Sequence, residues 1–284
     1  MGVFYGVAAA LCWGLGDFLI THLTRRVGTP RALISIQLLS LLAWLGFIVA
    51  QPSPPGGSPL VWSIVLGTAL CHVLGLIFVY RAFEVGTLSI VSPISAGFAV
   101  VTAVLSLASG ERPPVMALAG TVLLVSGVVL ATRTSAGPAQ PMNSKGVPEA
   151  ILSALAFGTM FWMFYSFVQP KLGYAWPLVV LKTFATGSSV VAYLSKRGTE
   201  AKQAFTLDTR IVLLAVGAAA ADTLAWLTYI WGSSSIYATV VTALASLFSV
   251  VTVLLAWKFL RERLAVHQWA GVGIILCGIL LVSI

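Results

Sequence analysis

Four ionisable side chains lie within long apolar stretches of this 284-residue sequence: Asp17, His72, Lys182 and Asp222. An ionisable group surrounded by apolar residues is costly, so it usually pairs with another such group or lies on a substrate or proton pathway. Two aspartates stand against one lysine here, so a pair formed by Lys182 leaves one carboxylate without a counter-charge. Such a carboxylate would bind a proton or a cationic substrate, which is the chemistry that a proton-coupled exchanger needs.

The two halves of the sequence resemble each other. The run 98–102, FAVVT, matches the run 248–252, FSVVT, at an offset of 150 residues. Glu111 matches Glu262 at 151, and Trp13-Gly14 matches Phe157-Gly158 at 144. An ordered series of matches predicts a duplicated structural unit.

The duplication relates the ionisable residues to one another. His72 occupies the position of Asp222, and Gln37 occupies the position of Lys182. Equivalent positions of two halves lie near a common axis, so we predict a polar cluster facing a central cavity, made of Asp17, Gln37, His72, Lys182 and Asp222. A structural role, in which a Lys–Asp pair only sets the helix register, is the alternative.

Aromatic residues share helical faces with the aspartates. Trp226 and Tyr229 follow Asp222 at i+4 and i+7, and Trp13 precedes Asp17 by one turn. Rings beside carboxylates hold organic cations or aromatic solutes. The predicted substrate-binding or coupling site therefore adds Trp13, Trp162, Trp226 and Tyr229, with no catalytic residue, metal or cofactor.

The composition identifies the environment of these residues. Hydrophobic residues make up 59% of the chain and charged ones 8%, against about 25% charged in soluble domains, and the mean hydropathy is +1.00. These values exclude a soluble enzyme, a nucleic-acid-binding module and a disordered chain. We expect a multi-pass protein of the cell (inner) membrane, with the lipid bilayer as a partner and no nucleic acid.

Continuous apolar runs predict an all-α membrane fold with ten transmembrane helices. We expect residues 1–132 and 147–284 to form five helices each, joined by a linker at 133–146, with the two repeats inverted around a central cavity. The predicted spans are 3–23, 32–50, 60–80, 87–108, 115–131, 147–168, 176–194, 211–231, 236–257 and 265–283.

The loop charges predict the orientation. Thirteen of the 16 Lys and Arg residues fall in loops on the side reached by the first span, whereas Arg112 and Lys171 lie on the opposite side. Basic loops favour the cytoplasm, so both termini are predicted outside, with cytoplasmic termini as the alternative.

The repeated segments resemble the EamA-type drug/metabolite transporter superfamily. The likeness rests on Trp13-Gly14, on the helix ends Gly110-Glu111-Arg112 and Arg261-Glu262-Arg263, and on the run QWAGVGIILCG at 268–278. It implies two inverted five-helix repeats, a central cavity and secondary transport, usually export, of an amino acid, amine, nucleoside or drug-like solute, with protons as a candidate coupling ion. It implies structural roles for Glu111 and Glu262. We expect a monomer, with a dimer as the alternative.

Two other functions fit part of the pattern. Gly14-Leu15-Gly16-Asp17 matches the GxGD motif of intramembrane aspartyl proteases, in which Asp17 and Asp222 would activate water together. Against this, Asp222 follows an alanine where that family has a tyrosine, and Lys182 has no role there. A structural membrane protein without transport activity is the third hypothesis.

Overall fold

The chain is helical throughout the part that the computed structural model describes, which comprises residues 1–50, 55–86, 88–132, 145–200, 208–260 and 266–283. The predicted linker and the Arg261-Glu262-Arg263 motif lie largely or wholly outside these residues. The helices of the first half are α1 (Gly2–Val27), α2 (Thr29–Ala50), α3 (Pro59–Val85), α4 (Leu88–Ala96), α5 (Phe98–Ala108) and α6 (Val115–Thr132).

The second half begins with α7 (Val147–Met163), which continues through a π-helical turn at Phe164–Val168 into the short α8 (Gln169–Leu172). Pro170 follows the wide turn directly, and a proline lacks the N–H that a regular α-helix uses. The remaining helices are α9 (Ala175–Glu200), α10 (Thr209–Ser233), α11 (Ala238–Ala245), α12 (Phe248–Leu260) and α13 (Val266–Ser283).

Several helices have the length and surface of membrane spans. Six helices in the described part of the chain are long and apolar enough to cross a bilayer, and three shorter apolar helices accompany them. On α3, Leu66, Leu70, Leu74 and Ile77 recur every three or four residues and are 37–60% exposed. A stripe of exposed leucines suits acyl chains and not water, so the helices form a multi-pass membrane protein. The count of ten spans stays a prediction.

The predicted spans 87–108 and 236–257 each consist of two helices instead of one. At the first break, the N–H of Gly97 donates to the carbonyl of Ile94 at 3.0 Å, and at the second the N–H of Leu247 donates to the carbonyl of Leu244 at 3.1 Å. These i→i−3 bonds replace the regular i→i−4 pattern and tighten the backbone. Both breaks occur at equivalent positions of the two halves.

The helix contacts come in matched pairs. Helix α2 packs against its counterpart α9, and α6 packs against its counterpart α13. Helix α1 contacts α10 and α12, and its counterpart α7 contacts α3 and α5 in the same way. Many of the main helix contacts therefore join one half to the other, and the centre of the bundle lies between the halves.

Two glycines allow the closest of these contacts. A β-carbon at Gly14 would lie 2.5 Å from Cβ of Val251, and one at Gly158 would collide equally with Val101. The threonine after each valine donates to the glycine carbonyl, at 3.4 Å in the first contact and 3.0 Å in the second. The matched sequence runs around these residues thus build the same helix crossing twice.

Candidate functional site

A buried ion pair lies at the centre of the bundle. Lys182 Nζ donates to Asp222 Oδ2 at 2.6 Å and to Gln37 Oε1 at 3.1 Å. Ser40 Oγ donates to the same Asp222 oxygen at 2.9 Å. Lys182, Gln37 and Ser40 have no exposed surface, whereas 15% of the Asp222 side chain is exposed. The lysine charge is therefore neutralised inside the protein.

The helix packing explains why these residues meet. Gln37 lies in α2 and Lys182 in α9, which are equivalent helices packed against each other. The two side chains are repeat counterparts and bond to each other across the junction of the halves. Helix α10 also contacts α2, and it carries Asp222, which bonds to Lys182.

A cavity adjoins this pair. Its space, including its open side, is about 720 Å³, and it lies between α1, α3, α7 and α10 and the breaks of the two interrupted spans. Most of its wall is apolar, as ligand sites commonly are. The lining residues that carry the argument below are Trp13, Asp17, His72, Phe157, Asp222 and Trp226.

Two polar groups of the cavity wall have no hydrogen-bond partner in the described part of the chain. Oδ2 of Asp17 is buried without a partner, and so are both ring nitrogens of His72, which is 2% exposed. Buried polar atoms in folded proteins are normally satisfied. Asp17 and His72 therefore leave unsatisfied polar atoms at the cavity wall.

The bonds of Asp222 fall on one side of its carboxylate. Both the lysine and the serine donate to Oδ2, so Oδ1 takes no part in these two bonds. Because Asp222 also lines the cavity, it joins the buried pair to the space where a solute would lie.

An aromatic layer closes one end of the cavity. The rings of Trp13 and Phe161 lie 5.7 Å apart, and those of Phe161 and Trp226 lie 5.4 Å apart. Tyr229 packs 4.8 Å from Phe161 behind this layer, and its hydroxyl is 2.9 Å from that of Thr242. Trp13, Phe161 and Trp226 of this layer line the cavity, whereas Tyr229 does not.

Most of the predicted site residues lie close together, some on the cavity wall and others directly behind it. Trp13, Asp17, His72, Asp222 and Trp226 line the cavity. The other predicted members behind the wall are Gln37, Lys182 and Tyr229.

Trp162 is not among the residues that line this cavity. Its Nε1 donates to Ser109 Oγ at 2.8 Å, and its ring packs on Phe167. The face of α7 that carries Gly158 and Trp162 packs towards α5, so Trp162 lies away from this cavity and its role in substrate binding stays a prediction. Phe161, one residue earlier, faces the cavity in its place.

Sequence analysis missed four residues that shape the site: Ser40, Tyr80, Phe157 and Phe161. Phe157 is the repeat counterpart of Trp13, and this equivalence was enough to predict it as a cavity residue. Ser40 lies one turn after Gln37, and Tyr80 lies two turns after His72. Phe161 had no signal beyond its aromatic side chain.

No group of three or more His, Cys, Asp or Glu side chains converges in the part of the chain that the structure describes.

The helices, the lipid-facing surface and the internal cavity define a multi-pass helical membrane protein. One solved structure, described only as a crystal structure of a protein, matches 99% of this chain and 95% of its own, with a TM-score of 0.74 and 14% identity. At that identity the likeness shows the fold alone. Altogether 29 solved chains match, and no curated protein matches significantly.

The family assignment comes from the sequence. The model of the EamA-like transporter family matches residues 1–133 and 144–284. The chain therefore belongs to the EamA-like transporter family, whose members are membrane transporters within the drug/metabolite transporter superfamily.

Proposed function

We propose that the protein is a secondary transporter that exports a small organic solute by alternating access, with proton exchange as the source of energy. The observation that carries this proposal is the buried, unpartnered Asp17 carboxylate oxygen in the wall of a cavity between the two halves. Such a group can exchange a proton for a cationic part of the solute.

The proposal includes ten spans in two inverted five-helix repeats, with both termini outside the cell. The paired helix contacts and the two family matches support a duplicated bundle. An odd number of spans in each half turns the second half over relative to the first, which places a site between them near the middle of the bilayer.

Alternating access requires one end of the cavity to open while the other closes. At the end that carries the N-terminus of α1, Glu111 Oε2 accepts a hydrogen bond from Thr239 Oγ1 at 2.5 Å. The rings of Tyr5 and Trp231 pack 5.6 Å apart at the same end. These contacts join the two halves, so the proposal requires them to separate when this end opens.

The ion pair argues against the aspartyl protease alternative. A protease dyad needs two carboxylates that share one proton and activate a water molecule. Asp222 instead bonds to Lys182 at 2.6 Å, with Ser40 on the same oxygen. Asp222 is therefore engaged with a lysine and a serine and not with Asp17, and membership of a transporter family favours transport.

Reconstituted vesicles test the proposal. Purified protein would be inserted into liposomes that contain a pH-sensitive dye, and a panel of amines, amino acids, nucleosides and drug-like compounds would be added outside. We expect at least one compound to drive proton movement in wild-type vesicles and not in those with Asp17→Asn.

The matched control is Asp208→Asn. Asp208 is exposed and caps α10 by accepting from the N–H of Arg210, and asparagine caps a helix equally well. Proton movement that is unaffected by Asp17→Asn would refute the proposed role of Asp17. No solute-driven proton movement by wild type with any member of the panel would refute proton-coupled transport of these solutes.

A further inference from the structure

The cavity wall carries two carboxyl groups, and none of its described residues is a lysine or an arginine. The two carboxyl groups belong to Asp17 and Asp222. The nearest cation, Lys182, is 0% exposed and bonded to Asp222. When Asp17 is ionised and His72 is neutral, the formal charge of the cavity and its ion pair is −1.

That charge discriminates between solute classes. An ammonium group would find the free Oδ2 of Asp17, and a charge-assisted hydrogen bond is among the stronger polar contacts. A carboxylate would be desolvated beside two aspartates with no free cation to bind it. The cavity is thus suited to an amine and unsuited to an amino-acid zwitterion.

The wall also determines the shape of the solute. The rings of Trp13, Phe157, Phe161 and Trp226 all face the cavity. Trp13 lies one helical turn before Asp17, so a group bound at Asp17 has an aromatic face beside it. Aromatic rings attract cations to their faces and stack with other rings, which favours an arylalkyl group next to the ammonium.

His72 supplies a second polar anchor. Both of its ring nitrogens are buried without a partner, and its ring packs 6.1 Å from both Phe157 and Trp226. An imidazole can accept or donate one hydrogen bond at each nitrogen. A hydroxyl or N–H on the aromatic part of the solute would satisfy it.

We infer that the cavity binds a monovalent aromatic amine that lacks a carboxylate, with its ammonium on Asp17, its ring among the aromatic side chains and a polar ring substituent on His72. This inference rests on the proposed function and names the substrate class of the same site.

Three compounds that share a phenol ring test the charge requirement. Tyramine carries an ammonium, tyrosine adds a carboxylate, and 4-ethylphenol has neither. Binding to purified wild-type protein would be measured by isothermal titration calorimetry. We expect tyramine to bind at least about tenfold tighter than either of the others, the loss associated with one hydrogen bond to a charged group.

Variants assign the contacts. We expect Asp17→Asn to weaken tyramine at least about tenfold and to leave 4-ethylphenol unchanged, and the exposed control Asp208→Asn to change neither. Phenethylamine lacks the hydroxyl of tyramine, so wild type should prefer tyramine and His72→Phe should abolish that preference.

The outcomes separate the inference from the proposed function. Tyrosine binding as tightly as tyramine, or no tyramine binding by wild type, would overturn the inference, and this measurement does not depend on the folding of any variant. If the vesicle panel then shows Asp17-dependent transport of another solute class, the proposed function stands and the substrate class is wrong. If no solute is transported, both fail.

Discussion

Removal of the Lys182 charge is the sharpest test of the buried ion pair. Lys182→Met keeps most of the side-chain volume but leaves Asp222 partly buried with Ser40 as its remaining recorded donor. It also leaves Oε1 of the fully buried Gln37 without its lysine partner. Breaking a buried pair by removing one partner costs about 3–5 kcal/mol, because the other charge stays uncompensated.

The double variant Lys182→Met/Asp222→Leu removes both charges. Apolar replacement of a whole buried pair is often neutral or stabilising, so we expect the double variant to be at least about 2 kcal/mol more stable than Lys182→Met. It should nevertheless lose solute-driven proton movement, because Asp222, one of the two acids that line the cavity, is gone. Restored stability together with lost proton movement would show that Asp222 has a function beyond setting the helix register.

Thermal unfolding in detergent, followed by the fluorescence of the nine tryptophans, measures the effect. At about 2 °C per kcal/mol for a chain of this size, Lys182→Met should lower Tm by about 6–10 °C. Lys171→Met, an exposed position in α8, is the control and should melt with wild type. A Lys182→Met variant that melts within about 2 °C of wild type, or a double variant no more stable than the single one, would refute the reasoning.

Three further predictions concern the helix crossings, the contact between the halves and the orientation in the membrane. Gly14→Ala should destabilise the protein by about 1–3 kcal/mol, because the new methyl group collides with α12. The control Gly46→Ala should leave the stability unchanged, because a β-carbon at Gly46 would have no neighbour within 4 Å. Equal melting temperatures of the two variants would contradict this prediction. Glu111→Gln should lower Tm by a few degrees, because the charged acceptor at the N-terminus of α11 is lost, and an unchanged Tm would mean that this contact adds no stability. In a variant without the native cysteines, an impermeant maleimide should label Gly56→Cys on intact cells and Asp208→Cys only after permeabilisation, and the reverse pattern would place the termini in the cytoplasm.

Local composition and periodicity sufficed for the class of protein and for part of the site. A chain with 8% charged residues can be stable only in a membrane, so each ionisable residue in an apolar run stands out. The repeat then related Gln37 to Lys182, and the structure joins them by a hydrogen bond of 3.1 Å. The repeat predicted that these two residues share one cluster, and the packing of α2 against α9 brings their side chains into contact.

The tertiary structure decided how each helix is rotated. Helix α7 is apolar on nearly every face, so its sequence has no polar stripe to show that Phe161 faces the cavity and Trp162 faces α5. The sequence also could not show which aspartate pairs with Lys182, because the two carboxylates are equivalent as charges. Only the packing of α10 beside α2 places Asp222 at 2.6 Å from Lys182 and leaves Asp17 Oδ2 unpartnered. Lipid and protein interior are both apolar, so contact geometry alone distinguishes the faces of a helix.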